Sequence, residues 1–406
     1  MIVLDLSRLL SRAGRETPTG IDRVELAYAE HLIATDPAAR FATTTLSAGL
    51  GLVPRRTAEA FVAAIGAAWR SSRDIAGDQR RVRRLGRRGR LAALAAGKGR
   101  LFATSRHGGE RPVYLLVSHH HLEKPAIFER LKARSGARFV CLIHDLIPMQ
   151  FPEYARPGQA ENHRRRIENA IRFADAVIVN SGVTRDALLP YIEHAGRDTP
   201  VLVAPLGLDL PHDSNSFPTP LQRPYFVYIG TIEAKKNHLL LLNLWRQLAA
   251  DLGNAAPMLL LIGQRGWETE NVVDMLERCP ALRGTVIEYN TLPDSEMVRL
   301  LKGARALLLP SFAEGFGFPL IEAFGVGVPA LCSDIPALRE TGGAVPEYLD
   351  PLDGPGWRAA ILDYAVPDSP RRAAQLDRLR GWCPPTWREH FDKVEGLIAE
   401  TAAVPD

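Results

Sequence analysis

The chain has 406 residues, of which 46% are hydrophobic and 24% charged, with a net charge of +4. That length suits two domains of roughly 200 residues each, and the composition is that of a soluble globular protein. The four cysteines, Cys141, Cys279, Cys332 and Cys383, form no Cys-x-x-Cys pair, which argues against a zinc site or a disulfide framework and fits a reducing cytosol.

The segment MIVLDLSRLLSR carries Asp5 and Arg8 inside its apolar stretch, where a secretory signal needs a clean run, so none is read there. No window approaches the ~20 uninterrupted apolar residues of a membrane span. The expected location is the cytoplasm, with peripheral attachment to the inner face of the plasma membrane left open. IVLDL (2–6) reads as a first strand. Pro18, Thr19 and Gly20 then make a turn before the helix IDRVELAYAEHL (21–32), where a plain turn with Asp22 and Arg23 as surface charges stays open as an alternative.

Residues 70–100 carry eleven basic side chains against Asp74 and Asp78, a local charge of +9. Three readings stay open for this tract: a solvated, partly mobile insertion, a surface for anionic lipid, or a nucleic-acid site. The last is weakened by the lack of aromatics for stacking, and no nucleic acid partner is expected. VYLLV (113–117) is the next strand and is followed by His119, His120 and His121. On an extended segment neighbouring side chains point to opposite sides, so the three cannot share one metal; no metal site is expected.

RFVCLIH (138–144) ends a strand at His144 and Asp145, and DAVIVN (175–180) ends another at Asn180. Ser181 suits a helix N-cap as well as a ligand contact. After VLVAP (201–205), the stretch PLGLDLPHDSNSFPTPLQRP (205–224) reads as an interdomain linker. Beyond it, YFVYIG, MLLLIG, TVIEY, ALLLP and VPALC alternate with amphipathic stretches at 238–252, 270–279 and 294–303. Continuous apolar strands separated by helices predict parallel sheets covered on both faces. Two doubly wound α/β domains facing across a cleft are the simplest architecture.

SFAEGFGFPLIEAFGVGVP (311–329) is the most informative segment. Gly315 and Gly317 let backbone approach a ligand, Pro319 suits a first helical turn, and the helix N-terminus is a ready anion site. Glu314 precedes the turn and Glu322 lies about one turn inside the helix. Upstream, YIGTIEAKKNH (228–238) reads as a strand, a glycine turn and then Lys235 and Lys236 opening a helix.

Glu314 and Glu322 form a Glu-x7-Glu motif, and EGFGFPLIEAFGVGVPALCSDIPALRE (314–340) closely resembles the donor-site signature of the family-4 retaining glycosyltransferases, which have the GT-B fold. The resemblance implies two Rossmann-like domains. One is an acceptor domain at 1–206, rejoined by the last helix at 386–406. The other is a donor domain at 207–385. It implies that Glu314 and the backbone of Gly315, Phe316, Gly317 and Phe318 hold the donor sugar, and that Glu322 binds the ribose. Lys235 and Lys236 would bind the diphosphate, with Lys235 standing where the family commonly has arginine. Tyr289 would lie by the nucleobase, Gly20 against the diphosphate with Arg23 nearby, and His144 against the donor sugar or the acceptor. His119, His120 and Asp145 are weaker acceptor candidates.

The catalytic set so implied is Glu314, His144 and Lys236, acting by front-face substitution with retention. No Asp-x-Asp motif occurs in the chain, which agrees with metal independence and with no cofactor beyond a nucleotide-diphosphate sugar as co-substrate. By resemblance alone the donor is GDP-mannose. The acceptor would be a saccharide or lipid-linked saccharide of bacterial exopolysaccharide, capsule or lipopolysaccharide synthesis. A nucleotide-sugar epimerase, a phosphorylase or an inactive binding scaffold on the same fold are the rivals.

Overall fold

The computed structural model describes residues 1–45, 49–70, 75–95, 111–210 and 223–403. The chain divides into two compact units: residues 1–150, 157–207 and 385–406 form unit 1, and residues 151–156 with 208–384 form unit 2. Much of the linker stretch, 211–222, lies outside the described residues.

Unit 1 is built on strands β1 (Ile2–Asp5), β2 (Arg40–Thr44), β3 (Leu50–Val53), β4 (Val113–Leu116), β5 (Arg138–Ile143), β6 (Ala176–Val179) and β7 (Val201–Val203). Their order is β3-β2-β1-β4-β5-β6-β7, all parallel except β3, which runs antiparallel to β2. Its helices are α1 (Ser7–Ser11), α2 (Gly20–Thr35), α3 (Arg55–Arg70), α4 (Ile75–Ala95), α5 (Pro125–Ser135), α6 (Ile147–Gln150), α7 (Gln159–Phe173) and α8 (Gly182–His194). The central strands β4 and β6 are apolar and buried at every position, as a sheet covered on both faces requires.

Unit 2 repeats the plan with six parallel strands in the order β10-β9-β8-β11-β12-β13. They are β8 (Tyr225–Ile229), β9 (Met258–Ile262), β10 (Val286–Tyr289), β11 (Leu307–Leu309), β12 (Ala330–Ser333) and β13 (Glu347–Leu349). The connecting helices are α9 (His238–Leu252), α10 (Glu270–Arg278), α11 (Asp294–Lys302), α12 (Phe318–Gly325), α13 (Pro336–Gly342), α14 (Gly354–Ala365) and α15 (Pro370–Arg380). α9 buries Leu241, Leu242, Trp245 and Leu248, a helical apolar stripe. The Trp245 indole N–H donates to the Pro257 carbonyl at 2.9 Å, so its polar edge is satisfied inside the core.

The last helix, α16 (Trp387–Ala403), belongs to unit 1. It lies against β4, β5, β6 and β7. His390 is the anchor. Its Nδ1 lies 3.1 Å from the carbonyls of Ala204 and Pro205, and its Nε2 lies 2.7 Å from the Tyr28 hydroxyl. Two carbonyl partners put the proton on Nδ1, so Nε2 accepts from Tyr28. A Cβ on Gly207 would stand 2.2 Å from the Trp387 nitrogen, so only glycine lets the chain pass there.

The basic tract departs from the loose insertion that its composition allows. Residues 75–95 form α4, which buries Val82, Gly86, Gly89 and Ala93 at helical spacing. Small residues bring it close to its neighbours. A Cβ on Gly86 would meet Ala13 Cβ at 2.8 Å, and one on Gly51 of β3 would meet the Ala93 carbonyl oxygen at 2.3 Å. Arg90 donates to the Leu10 carbonyl. Arg80, Arg81, Arg83, Arg84, Arg87 and Arg88 face outward. No described helix is long and apolar enough to cross a membrane. Gly51→Val forces α4 off β3 and is expected to cost about 1–3 kcal/mol; a lower urea midpoint at unchanged m-value reads this out, and an unchanged midpoint contradicts the close seat.

Candidate functional site

All strands of unit 2 run parallel, so the loops after them emerge at one end of the sheet, where open α/β sheets take ligands. The loop after β11 runs from Pro310 to Gly317, and α12 starts at Phe318 with Pro319 in its first turn. Gly317 caps the helix at φ 90°, and a Cβ there would lie 2.7 Å from Leu338 Cδ2. The conformation calls for glycine, and any side chain would also have to push the Leu338 methyl aside. The Phe316 carbonyl accepts from the Thr341 hydroxyl at 2.6 Å, which fixes the turn from behind. The Phe316 and Phe318 rings meet edge to face at 5.6 Å.

Glu314 sits at the centre of this loop. Its Oε1 accepts from Lys236 Nζ at 2.5 Å and from the Ser311 hydroxyl at 2.7 Å. Only 8% of the Glu314 side chain and 12% of the Lys236 side chain are exposed. Burial pushes the Glu314 carboxyl up, but Lys236, Lys235 and the two hydrogen bonds outweigh it and hold the acid below its ordinary range. Lys235 lies 3.8 Å from Glu233, and its carbonyl accepts the Phe312 N–H at 2.8 Å. The lysine loop and the glutamate loop are thus stitched together through both side chains and backbone.

The lysines do not open α9 as their sequence context suggests. They lie in a separate 3-10 turn, Ala234–Lys236. Asn237 then takes a left-handed conformation at φ 56° and interrupts the two helices, with its side-chain amide donating to the Pro351 carbonyl at 2.8 Å. Asparagine tolerates this conformation better than most residues. Glu322 is 6% exposed on α12 and is therefore no solvated helix carboxylate. Tyr289 ends β10, half-buried, and its carbonyl accepts the Gly263 N–H at 2.9 Å.

Two contacts in unit 2 had no signal in the sequence. Tyr154 stacks on Phe312 with centroids 5.6 Å apart, and the Arg156 guanidinium lies 4.8 Å over the Trp267 ring. Both bring the segment 151–156 onto the β9 and β11 loops.

In unit 1 the corresponding loops hold the histidines. His144 follows β5, and its Nε2 lies 2.9 Å from the Val117 carbonyl. The proton is therefore on Nε2, and Nδ1 is the acceptor. The His144 backbone N–H donates to His119 Nε2 at 3.2 Å. The His119 ring also lies 5.1 Å from that of His163, whose Nε2 is 3.0 Å from the Asp145 carbonyl. Burial pushes His144 down to about 4 and His120 to about 3, and pushes His119 well below the usual imidazole range, so all three are neutral at pH 7. Asp145 Oδ1 accepts the Ile147 N–H at 3.1 Å. His119 to His121 do not form the extended run expected of them. They make a turn, with His121 at φ 62°. Among the described residues no group of three or more His, Cys, Asp and Glu side chains is placed to hold a metal.

Gly20 is exposed at the first position of α2. Asp22 is not a surface charge. It is 1% exposed, accepts the Thr19 N–H and hydroxyl at 2.8 Å each, and pairs with Arg8 at 2.5 Å. Arg23 lies half-buried beside it on the same helix. Ser181 caps α8 by accepting the Thr184 N–H at 3.1 Å.

Residues 62–211 match the family described as Glycosyltransferase Family 4, and residues 211–343 match Glycosyl transferases group 1. The chain carries both glycosyltransferase domains. It is 29% identical over 244 residues to O-antigen chain mannosyltransferase B of Escherichia coli, covering 58% of this chain and 64% of that protein. It is also 29% identical over 224 residues to the Escherichia coli serotype-specific mannosyltransferase WbdA, covering 51% and 27%. The match thus spans less than two thirds of either relative. An α,α-trehalose-phosphate synthase (UDP-forming) from Burkholderia vietnamiensis superposes with a TM-score of 0.64 at 12% identity, over 99% of this chain and 97% of that one. Sucrose-phosphate synthase from Thermosynechococcus elongatus gives 0.61 at 16% identity, over 98% of both chains. Anabaena HepE in complex with UDP-glucose gives 0.61 at 15%, again over 98% of both. The fold is GT-B.

Lys236→Met leaves the Glu314 carboxylate buried without its cation. It is expected to lose about 3–5 kcal/mol of stability, largely restored by Glu314→Gln in the same chain. Chemical denaturation of the single and double variants measures it, and equal losses in both would show that the pair carries no such coupling.

Proposed function

We propose that the chain is a retaining glycosyltransferase that moves a hexose from a nucleotide-diphosphate sugar to a saccharide or lipid-linked saccharide. The observation that carries this reading is the buried Lys236–Glu314 pair beside the Gly317 turn and the start of α12. An ionised carboxylate held in place accepts hydrogen bonds from sugar hydroxyls. The backbone N–H groups at the start of α12 favour a negatively charged ligand. Lys235 and Lys236 offset the charge that grows on the diphosphate as the glycosidic bond breaks. Glu322 holds the ribose, Tyr289 lies by the base, and Gly20 and Arg23 face the diphosphate.

His144 offers Nδ1 as an acceptor to a sugar or acceptor hydroxyl, with His119, His120 and Asp145 around it. The departing phosphate assists removal of the acceptor proton, so transfer proceeds with retention and needs neither metal nor further cofactor. The mannosyltransferase relatives, one of them named for the O-antigen chain, favour mannose as the sugar moved and a bacterial surface polysaccharide as the product; GDP-mannose is the donor we propose.

A transfer assay over GDP, UDP, dTDP and ADP sugars tests this, with NMR of the product anomer and chelator controls. Glu314→Ala is expected to abolish transfer and Glu322→Ala to raise the donor KM chiefly. Wild-type turnover in both variants, or release of a free sugar or epimer in place of a glycoside, would overturn the assignment.

The outward arginines of α4 suit an anionic bilayer, where each basic residue contributes about 1 kcal/mol. Leu91 and Leu94 are 58% and 51% exposed at the end of the same helix. Replacing Arg80, Arg84, Arg87 and Arg88 by glutamine is expected to end co-sedimentation with anionic vesicles while sparing transfer to a soluble acceptor. Equal recovery of wild type with neutral and anionic vesicles would exclude this surface.

A further inference from the structure

Beneath the α1–α2 turn lies a pair of acids that the donor-site and histidine chemistry leaves unused. Asp5 closes β1 and Glu25 projects from α2, at 1% and 0% exposure. Three donors converge on Asp5. Its Oδ1 accepts the Ser7 N–H at 2.8 Å, and its Oδ2 accepts the Ser7 hydroxyl at 3.0 Å and the Tyr114 hydroxyl at 2.5 Å. Burial pushes the Asp5 carboxyl up, and the three donors work against it in favour of the ionised form.

Glu25 is equipped differently. Its Oε1 accepts the Leu9 N–H at 2.9 Å, whereas Oε2 is buried with no hydrogen-bond partner. The Ser118 hydroxyl, which follows β4, is likewise buried and completes no well-formed hydrogen bond, although it lies near enough to Glu25 to act on its carboxyl. A bare carboxylate oxygen in an apolar interior is costly. Serine donation to an ionised Glu25 would leave two carboxylates in one dry site. Arg8 on α1, whose charge bears on Glu25, is already held by Asp22 at 2.5 Å.

We infer that Glu25 is held as a neutral acid, with its proton on Oε2 directed to Ser118 Oγ, and that this proton keeps the α1–α2 turn seated. The mechanical route is short. Glu25 ties α2 to the Leu9 N–H, and the adjacent Arg8 binds Asp22 and, at 3.1 Å, the Thr19 hydroxyl. Thr19 precedes Gly20, so Glu25 is a positioning residue for the turn placed against the diphosphate. That last consequence rests on the function proposed above; the neutral acid itself does not.

The groups facing Glu25 are Asp5 on β1, Arg8 on α1, Tyr114 on β4 and Ser118 after it. Burial and then the Asp5 charge push Glu25 up to about 8, against the Leu9 N–H, Arg8 and the Ser118 hydroxyl. Its folded value stands above the ordinary 4.5. The stabilisation from the bound proton is therefore complete below 4.5 and is lost as pH rises through about 8.

Infrared spectroscopy of the free protein, with no donor or acceptor added, tests the assignment. The wild type is expected to show the carbonyl band of a protonated acid at neutral pH, fading with a midpoint near 8. Glu25→Gln should lack the band and keep the donor KM flat through the alkaline range where the wild-type KM rises. Ser118→Ala keeps the acid but removes its acceptor, so the band should move to higher frequency. Absence of the band in folded wild type, its survival in Glu25→Gln, or an unmoved band in Ser118→Ala would overturn the inference. Because the band is read without turnover, failure of the glycosyltransferase reading would show separately, as absent transfer with the band intact.

Discussion

A carboxylate as little exposed as that of Glu314 stays ionised only while a cation lies against it, and Lys236 is that cation. The rest of the loop geometry at this end of unit 2 follows from bringing those two residues together. Lys236 comes from the loop after β8 and Glu314 from the loop after β11, and these strands are neighbours in the sheet. The pair therefore closes over the strand ends instead of spanning a distance. The Phe312 N–H bond to Lys235 holds the two loops at that spacing, and the Asn237 bond to Pro351 ties the lysine loop to the loop after β13. Two charges removed from water gain little net stability from each other. Their use is that both are already desolvated and aimed when a polar ligand arrives, so little reorganisation is left to the ligand.

The same economy of space recurs in the backbone. Gly317, Gly207 and Gly51 each stand where a Cβ would strike a neighbour, at Leu338, Trp387 and Ala93 respectively. They seat the α12 turn, the returning helix α16 and the basic helix α4. For α16 and α4 that close approach of main chain sets the position of an element that carries polar side chains outward. α4 shows the outcome most fully, because its inward stripe is almost entirely small and its outward face almost entirely arginine.

How much of this was legible in the sequence follows from burial. β4, β6 and β9 are buried on both faces, so they read as unbroken apolar runs. The Gly-rich turn at 314–317 and its two acids were legible because each residue type there answers a local need. β2 and β3 were not, since RFATT and LGLV are short and lie toward the antiparallel edge of the sheet. α4 was hidden because its inner face is marked by glycine and alanine, which carry almost no hydrophobic signal against so many arginines. The break between Lys236 and α9 turns on one left-handed asparagine, a tertiary outcome fixed by the Pro351 carbonyl more than a hundred residues away. The pairing of Tyr28 with His390 spans almost the whole chain and has no local signature.

The buried polar groups of unit 1 divide by how many donors reach them, and that division assigns their protons. Asp5 and Asp22 each receive several donors and fit the ionised form. His144 and His390 each face carbonyls through one nitrogen and are neutral, with the other nitrogen left to accept. Glu25 receives a single backbone N–H on one oxygen and nothing on the other, which marks it as the acid that keeps its proton. All of them sit where parallel strands end or where a helix meets those ends. The fold that gathers polar chemistry at one edge of the sheet must also satisfy it there, and the count of donors at each oxygen separates groups that brace the loops from groups left with capacity for a ligand. By that count Asp22 is already fully engaged. The Nδ1 lone pair of His144 and the unshared oxygen of Glu314 are the acceptors that these bonds leave over.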